Sequence, residues 1–89
     1  MLSRIRPIDV ISVCTADGEI TPIRFRMETE ENGLQRVDIA KVVSRKDIWC
    51  YGIESKIYLC KVQEGKYMRM YELRYSIRSH RWSLVCQHF

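Results

Sequence analysis

Arg74 and the run Arg78, Ser79, His80 and Arg81 place four cationic or titratable donors within eight positions of this 89-residue chain. Guanidinium groups present several N–H donors in a fixed fork that matches phosphate or carboxylate, so such a group suits an anionic partner. Alternation puts Arg74 on the outward register of a strand, and residues 78 to 81 form the turn that follows it. Arg74, Arg78, His80 and Arg81 are therefore the candidate partner-binding residues, with Arg69, Lys61 and Lys66 as possible extensions. The competing reading is a solvated hairpin whose charges keep sheet edges from pairing with other chains.

The remaining reactive residues carry less. Cys14, Cys50, Cys60 and Cys86 contain no C-x-x-C pair, and although Cys86 and His88 share a strand register, the spacings match no zinc pattern. No metal site is expected, and the cysteines read as reduced thiols used as small buried hydrophobes. His80 is the only non-terminal histidine and occupies a turn without a third orienting group, so a Cys/His enzyme ranks third among the functions considered. Gly18, Gly33, Gly52 and Gly65 are too dispersed to cradle a phosphate chain, and no cofactor is expected. Tyr67, Tyr71 and Tyr75 fit a core better than a base-stacking platform.

These groups must be positioned by a single small domain, residues 1–89. The net charge of +4 is unevenly distributed: residues 1–44 hold six Lys/Arg against seven Asp/Glu, whereas residues 45–89 hold nine against four. An excess of this size permits an anionic partner and equally serves solubility. The N-terminal stretch does not read as a signal peptide, and no apolar run approaches the ~20 residues of a membrane-spanning helix, so a soluble, cytoplasmic protein is expected.

Ile8 to Thr15 reads as a first strand, apolar on both registers (Ile8, Val10 against Ile11, Val13) and so expected to be buried on both sides for part of its length, with a turn at Asp17-Gly18. In the second strand Ile23, Phe25 and Met27 face a core while Arg24, Arg26 and Glu28 face water, and Pro22 belongs at an edge or a bulge. An acidic loop, Glu28 to Asn32, ends in Gly33. Leu34 to Asp47 gives no helical stripe and reads as one strand closed by Arg45-Lys46-Asp47. Ile48 to Val62 reads as two strands or one bent strand, and Gln63 to Lys66 as a turn. In the last hairpin Tyr71, Leu73, Tyr75 and Ile77 answer Trp82, Leu84 and Cys86, and the parity change between Met70 and Tyr71 calls for a bulge or corner.

The sum is an all-β fold: a small, strongly twisted antiparallel sheet or barrel of about six strands in meander order. A domain with so little pocket volume acts through its surface. The favoured function is a non-enzymatic binding module that contacts a protein partner through exposed loops or an edge strand. The alternative is a small nucleic-acid-binding barrel using the basic C-terminal hairpin. The sequence specifies neither the partner nor the oligomeric state.

Overall fold

A computed structural model describes residues 5–29 and 33–88, apart from the side chains of residues 50 and 86–88. Seven strands follow one another: β1 (Arg6–Cys14), β2 (Ile20–Thr29), β3 (Gly33–Asp38), β4 (Lys41–Cys50), β5 (Ile53–Glu64), β6 (Tyr67–Ser76) and β7 (Arg81–His88). All neighbours are antiparallel, in the order β3-β2-β1-β7-β6-β5-β4. Every sequential pair therefore lies side by side except β3 and β4, which form the two outer edges, while β1 pairs with β7. The sheet curls into a half-barrel, and the two residues between β3 and β4 bridge its open side. There the Ile39 N–H donates to Ile23 O at 3.0 Å and the Ala40 N–H to Lys61 O at 2.8 Å.

Alternation explains the core. Phe25, Met27 and Val37 from β2 and β3 meet Tyr58, Cys60, Val62, Tyr71, Leu73, Tyr75, Trp82 and Leu84 on the concave face, all buried. The rings interlock at angles: Phe25 meets Tyr71 edge-on with centroids 5.3 Å apart, and Trp82 lies 4.9 Å from Tyr75 and 5.4 Å from Tyr58. Tilted and edge contacts of this kind add to the area term. The Tyr58 hydroxyl donates to Ile20 O at 2.6 Å and the Tyr71 hydroxyl to Glu64 Oε1 at 2.8 Å, so neither buried phenol is left unpaired.

The six core residues expected from alternation, Phe25, Met27, Leu73, Tyr75, Trp82 and Leu84, are all buried. Three details differ. Leu34 to Asp47 is not one strand: it breaks at Ile39-Ala40, and β4 runs through Arg45-Lys46-Asp47 to Cys50. The charged triplet does not end it because β4 is an edge strand, where charge is tolerated. Ile48 to Val62, by contrast, is two strands, the first of its two expected forms, divided by a two-residue turn at Tyr51 (φ 51°) and Gly52 (φ 75°), both left-handed as a tight hairpin requires. The corner sought between Met70 and Tyr71 is absent from the pairing with β5. The slip lies against β7, between Glu72 and Leu73, and Met68 and Met70 remain on the convex face. Finally, Ile11 and Val13 are exposed, not buried, because β7 begins only at Arg81 and does not accompany the second half of β1.

The expected bulge at Pro22 is present, since the β1–β2 register shifts between Ile11 and Ser12 and skips Ile23. That shift turns Ile23 out of the core series, leaving it exposed while Phe25 and Met27 are buried. The acidic loop anticipated over Glu28 to Asn32 falls largely outside the described residues, and β2 extends through its start to Thr29.

Candidate partner-binding surfaces

The β6–β7 hairpin distributes the four candidate residues over two faces. Ser76 stands opposite Arg81, and Arg74 opposite Ser83, so Arg74 and Arg81 share the convex face as diagonal neighbours. Arg81 and Arg78 are exposed; Arg74 is half-buried, and its Nε is buried without a hydrogen-bond partner. His80 takes a left-handed conformation (φ 59°), and its amide donates to Ser76 O at 2.8 Å, closing the turn. Its ring turns the other way: Nδ1 lies 3.0 Å from the Tyr75 hydroxyl, and Tyr75 belongs to the concave face. The structure thus brings Arg74 and Arg81 together, leaves Arg78 at the tip and separates His80 from them.

Among the described residues, none of Arg74, Arg78 and Arg81 makes an ion pair. Most of the other described arginines are paired: Arg24 with Asp38 at 2.5 Å, Arg26 with Asp9 at 2.6 Å, Arg45 with Glu19 and Arg69 with Glu64 at 3.0 Å, and Lys56 pairs with Asp47 at 2.9 Å. Among the described residues, the cations of the second half without an ion pair are Lys46, Lys61 and Lys66, which are spread along the sheet, and Arg74, Arg78 and Arg81, which the hairpin gathers.

A second surface lies along β1. Its pairing with β7 consists of Arg6 with Leu84, Pro7 with Ser83 and Ile8 with Trp82, and stops there. Among the described residues, the strand from Asp9 to Cys14 is paired with β2 alone. Proline has no N–H, so Pro7 opposite Ser83 and Pro22 opposite Ser12 both mark positions where the two residues exchange no ladder bonds. Alternation from either proline gives the same result: Val10 and Ser12 direct their backbone groups toward the side where β7 would be. Ile11 is 59% exposed and Val13 49%. The strand diverges from the hairpin across a groove of about 480 Å³, with Ile8, Asp9 and Val10 on one wall and His80, Arg81 and Trp82 on the other.

The outer edge strands are protected differently. β3 is only six residues long and carries Arg36 and Asp38. β4 carries Lys41, Arg45 and Lys46 and has an irregularity at Val43. Charge, shortness and bulges are the usual defences of a free edge. The open half of β1, from Val10 to Cys14, has no charged residue and no proline.

Two further places present concave or apolar surface. A cleft of about 320 Å³ between the β1–β2 turn and β4–β5 is lined by Glu19, Arg45, Asp47, Lys56 and Tyr58, but its charges neutralise one another. The β4–β5 turn presents Tyr51 at 98% exposure beside Trp49 at 70%. Sequence reading missed this pair; the signal was Tyr51-Gly52, a two-residue turn whose first member must point into solvent.

As for reactive groups, Cys60 is fully buried, and burial pushes its thiol up to about 12, which removes it as a nucleophile. Cys14 is exposed on β1, contrary to the buried role expected of it, because it lies on the half of the strand that β7 does not cover. The Cys86 and His88 side chains lie outside the described residues, as does that of Cys50. Among the described residues no three His, Cys, Asp or Glu side chains cluster as metal ligands, and no helix is long and apolar enough to cross a membrane.

In comparisons with known proteins, the chain matches no family, no curated protein and no solved structure.

Proposed function

We propose that this protein is a non-enzymatic binding module that takes an extended segment of a partner protein as an added strand along the open half of β1. The observation that carries this reading is the unpaired edge from Asp9 to Cys14 with Ile11 and Val13 exposed upon it. Strand addition draws affinity from main-chain hydrogen bonds and specificity from alternate side chains, and β1 offers both. The exposed Trp49 and Tyr51 support a protein partner too, being residue types that anchor interfaces. A buried, high-pKa Cys60 and a His80 engaged with Tyr75 favour binding over catalysis. The free thiols of Cys14 and Cys60 fit a reducing compartment such as the cytoplasm.

The test is purification from the native cell after nuclease treatment, comparing wild type with Ser12→Pro and Val13→Lys. Proline at position 12 removes an edge donor without disturbing the pairing to β2, and a lysine on an edge opposes pairing. A protein captured by wild type and lost with both variants supports the reading; capture indifferent to both overturns it.

A second reading, nucleic-acid binding through the β6–β7 hairpin, is favoured by one observation: Arg74, Arg78 and Arg81 have no ion-pair partners, unlike the arginines of β2. Its signature is an affinity that falls steeply with salt, whereas an apolar protein contact does not depend on salt in that way.

A further inference from the structure

On the convex face of the β6–β7 hairpin, four side chains form a two-by-two block. Arg74 and Ser76 project from β6, Ser83 and Arg81 from β7, with Arg74 opposite Ser83 and Ser76 opposite Arg81. The two arginines occupy one diagonal and the two serines the other. Side chains directly opposite stand roughly 5 Å apart at Cβ and diagonal ones about 7 Å, within reach of two long guanidinium stems. An oxygen-rich anion above the block would meet two cationic forks and two hydroxyls.

Two independent features point to such an anion. First, the Arg74 Nε is buried without a hydrogen-bond partner. A buried donor on a charged group is costly to leave unpaired, and a group of this kind calls for an explanation such as a bound ion. Second, neither arginine is neutralised by a carboxylate, although ion pairs are common elsewhere on the sheet. Glu72, which shares the face two residues before Arg74, is engaged in an interaction of its own. Ile57, directly opposite Arg74 on β5 and on the same face, is buried, so the Arg74 stem has an apolar neighbour beside it.

We infer that Arg74, Ser76, Arg81 and Ser83 form a binding site for a phosphoryl oxyanion. Arg74 turns its guanidinium to the oxyanion, Arg81 supplies the second positive charge, and Ser76 and Ser83 donate to the remaining oxygens. The planar geometry of guanidinium against a tetrahedral oxyanion favours arginine here over lysine. The site deepens the nucleic-acid reading by naming the atoms that take the phosphate, and it stands apart from the β1 edge.

The test follows backbone and arginine side-chain NMR signals of the intact chain at low salt, with inorganic phosphate in one titration and a single-stranded oligonucleotide in another. Saturable shifts at Arg74, Ser76, Arg81 and Ser83, weakened about tenfold or more by Arg74→Met or Arg81→Gln, support the site. Arg74→Met retains most of the apolar stem beside Ile57; if it nevertheless unfolds the chain, Arg81→Gln and Ser83→Ala carry the test. Binding of phosphate and oligonucleotide together, with a salt slope reduced by roughly one unit per lost arginine, identifies a nucleic-acid backbone as the source. Phosphate binding without oligonucleotide binding identifies a small phosphate ester, sustaining this site while removing the nucleic-acid reading. Absence of saturable shifts with either probe, or shifts unchanged in Arg81→Gln and Ser83→Ala, overturns the proposal.

Discussion

The strands β1 to β3 and the hairpin β6–β7 both carry arginines on their convex faces, yet they treat them oppositely. In the first region cross-strand register sets Asp9 opposite Arg26 and Asp38 opposite Arg24, and each pair closes. In the second, the residues opposite Arg74 are Ser83 and Ile57, and the residue opposite Arg81 is Ser76. Apolar residues show the reverse. The first region exposes Ile11, Val13 and Leu34, while the second buries Tyr71, Leu73, Tyr75, Trp82 and Leu84. One region has balanced charge and free apolar edge; the other has an anchored core and free charge. The first suits a protein strand and the second an anion.

The sharpest break in that comparison would be in stability. Leu73, with no exposed surface, should cost on the order of 2 to 5 kcal/mol when replaced by Ala. Val13→Ala on the open half of β1 should cost no more than about 0.5 kcal/mol. Denaturant midpoints of the two variants measure the contrast, and equal losses would mean that the β1 edge is covered in the free protein.

A second contrast appears in alkali. Burial pushes the Cys60 thiol from an ordinary 9.0 up to about 12. Burial, and then the hydrogen bond to Glu64, push the Tyr71 phenol from 10.0 up to about 12. Both folded values are raised, so the folded chain holds these protons longer than the unfolded one. The stabilisation is complete below the ordinary values and is lost as pH rises toward 12. Thermal midpoints should therefore fall from about pH 9 upward. Tyr71→Phe should flatten the part of that fall above pH 10; an unchanged slope would show that Tyr71 is not the group titrating.

Much of this architecture was legible in the chain. Period-two alternation in Phe25 and Met27, and in Leu73, Tyr75, Trp82 and Leu84, identified the concave face, because a residue's parity decides its side of a sheet. Parity could not foretell the partner beside β1. The run Ile8 to Val13 looks buried on both registers, and its exposure depends on β7 starting at Arg81, a long-range fact absent from the local pattern. The unpaired state of Arg74 and Arg81 was hidden for the same reason: composition counted the surplus, but which cations find an acid depends on register across strands. Gly33, with its φ of 66° at the start of β3, and the break at Ile39-Ala40 differ likewise. A positive-φ glycine announces itself, whereas the break contains no Gly or Pro and reflects the chain crossing between the two sheet edges.

The smallest expected change sharpens the charge side of the comparison. Asp38→Asn removes the acid next to Arg24 at 2.5 Å and Arg36 at 3.9 Å. Both pairs are largely exposed, so stability should change by less than about 1 kcal/mol. The β1–β3 face should gain affinity for a single-stranded oligonucleotide at low salt, coming to resemble β6–β7. A salt-dependent titration checks this; no gain would mean that unpaired arginines alone do not make an anion surface.

The proposal of strand addition is tested most directly by amide hydrogen exchange across β1 in the free protein and again with its captured partner. The account predicts that Val10 and Ser12 exchange quickly when free, while Asp9 and Ile11, paired to Arg26 and Arg24 of β2, exchange slowly. On addition of the partner, Val10 and Ser12 should become protected. Slow exchange at Val10 and Ser12 in the free chain, or fast exchange that persists in the complex, would contradict it.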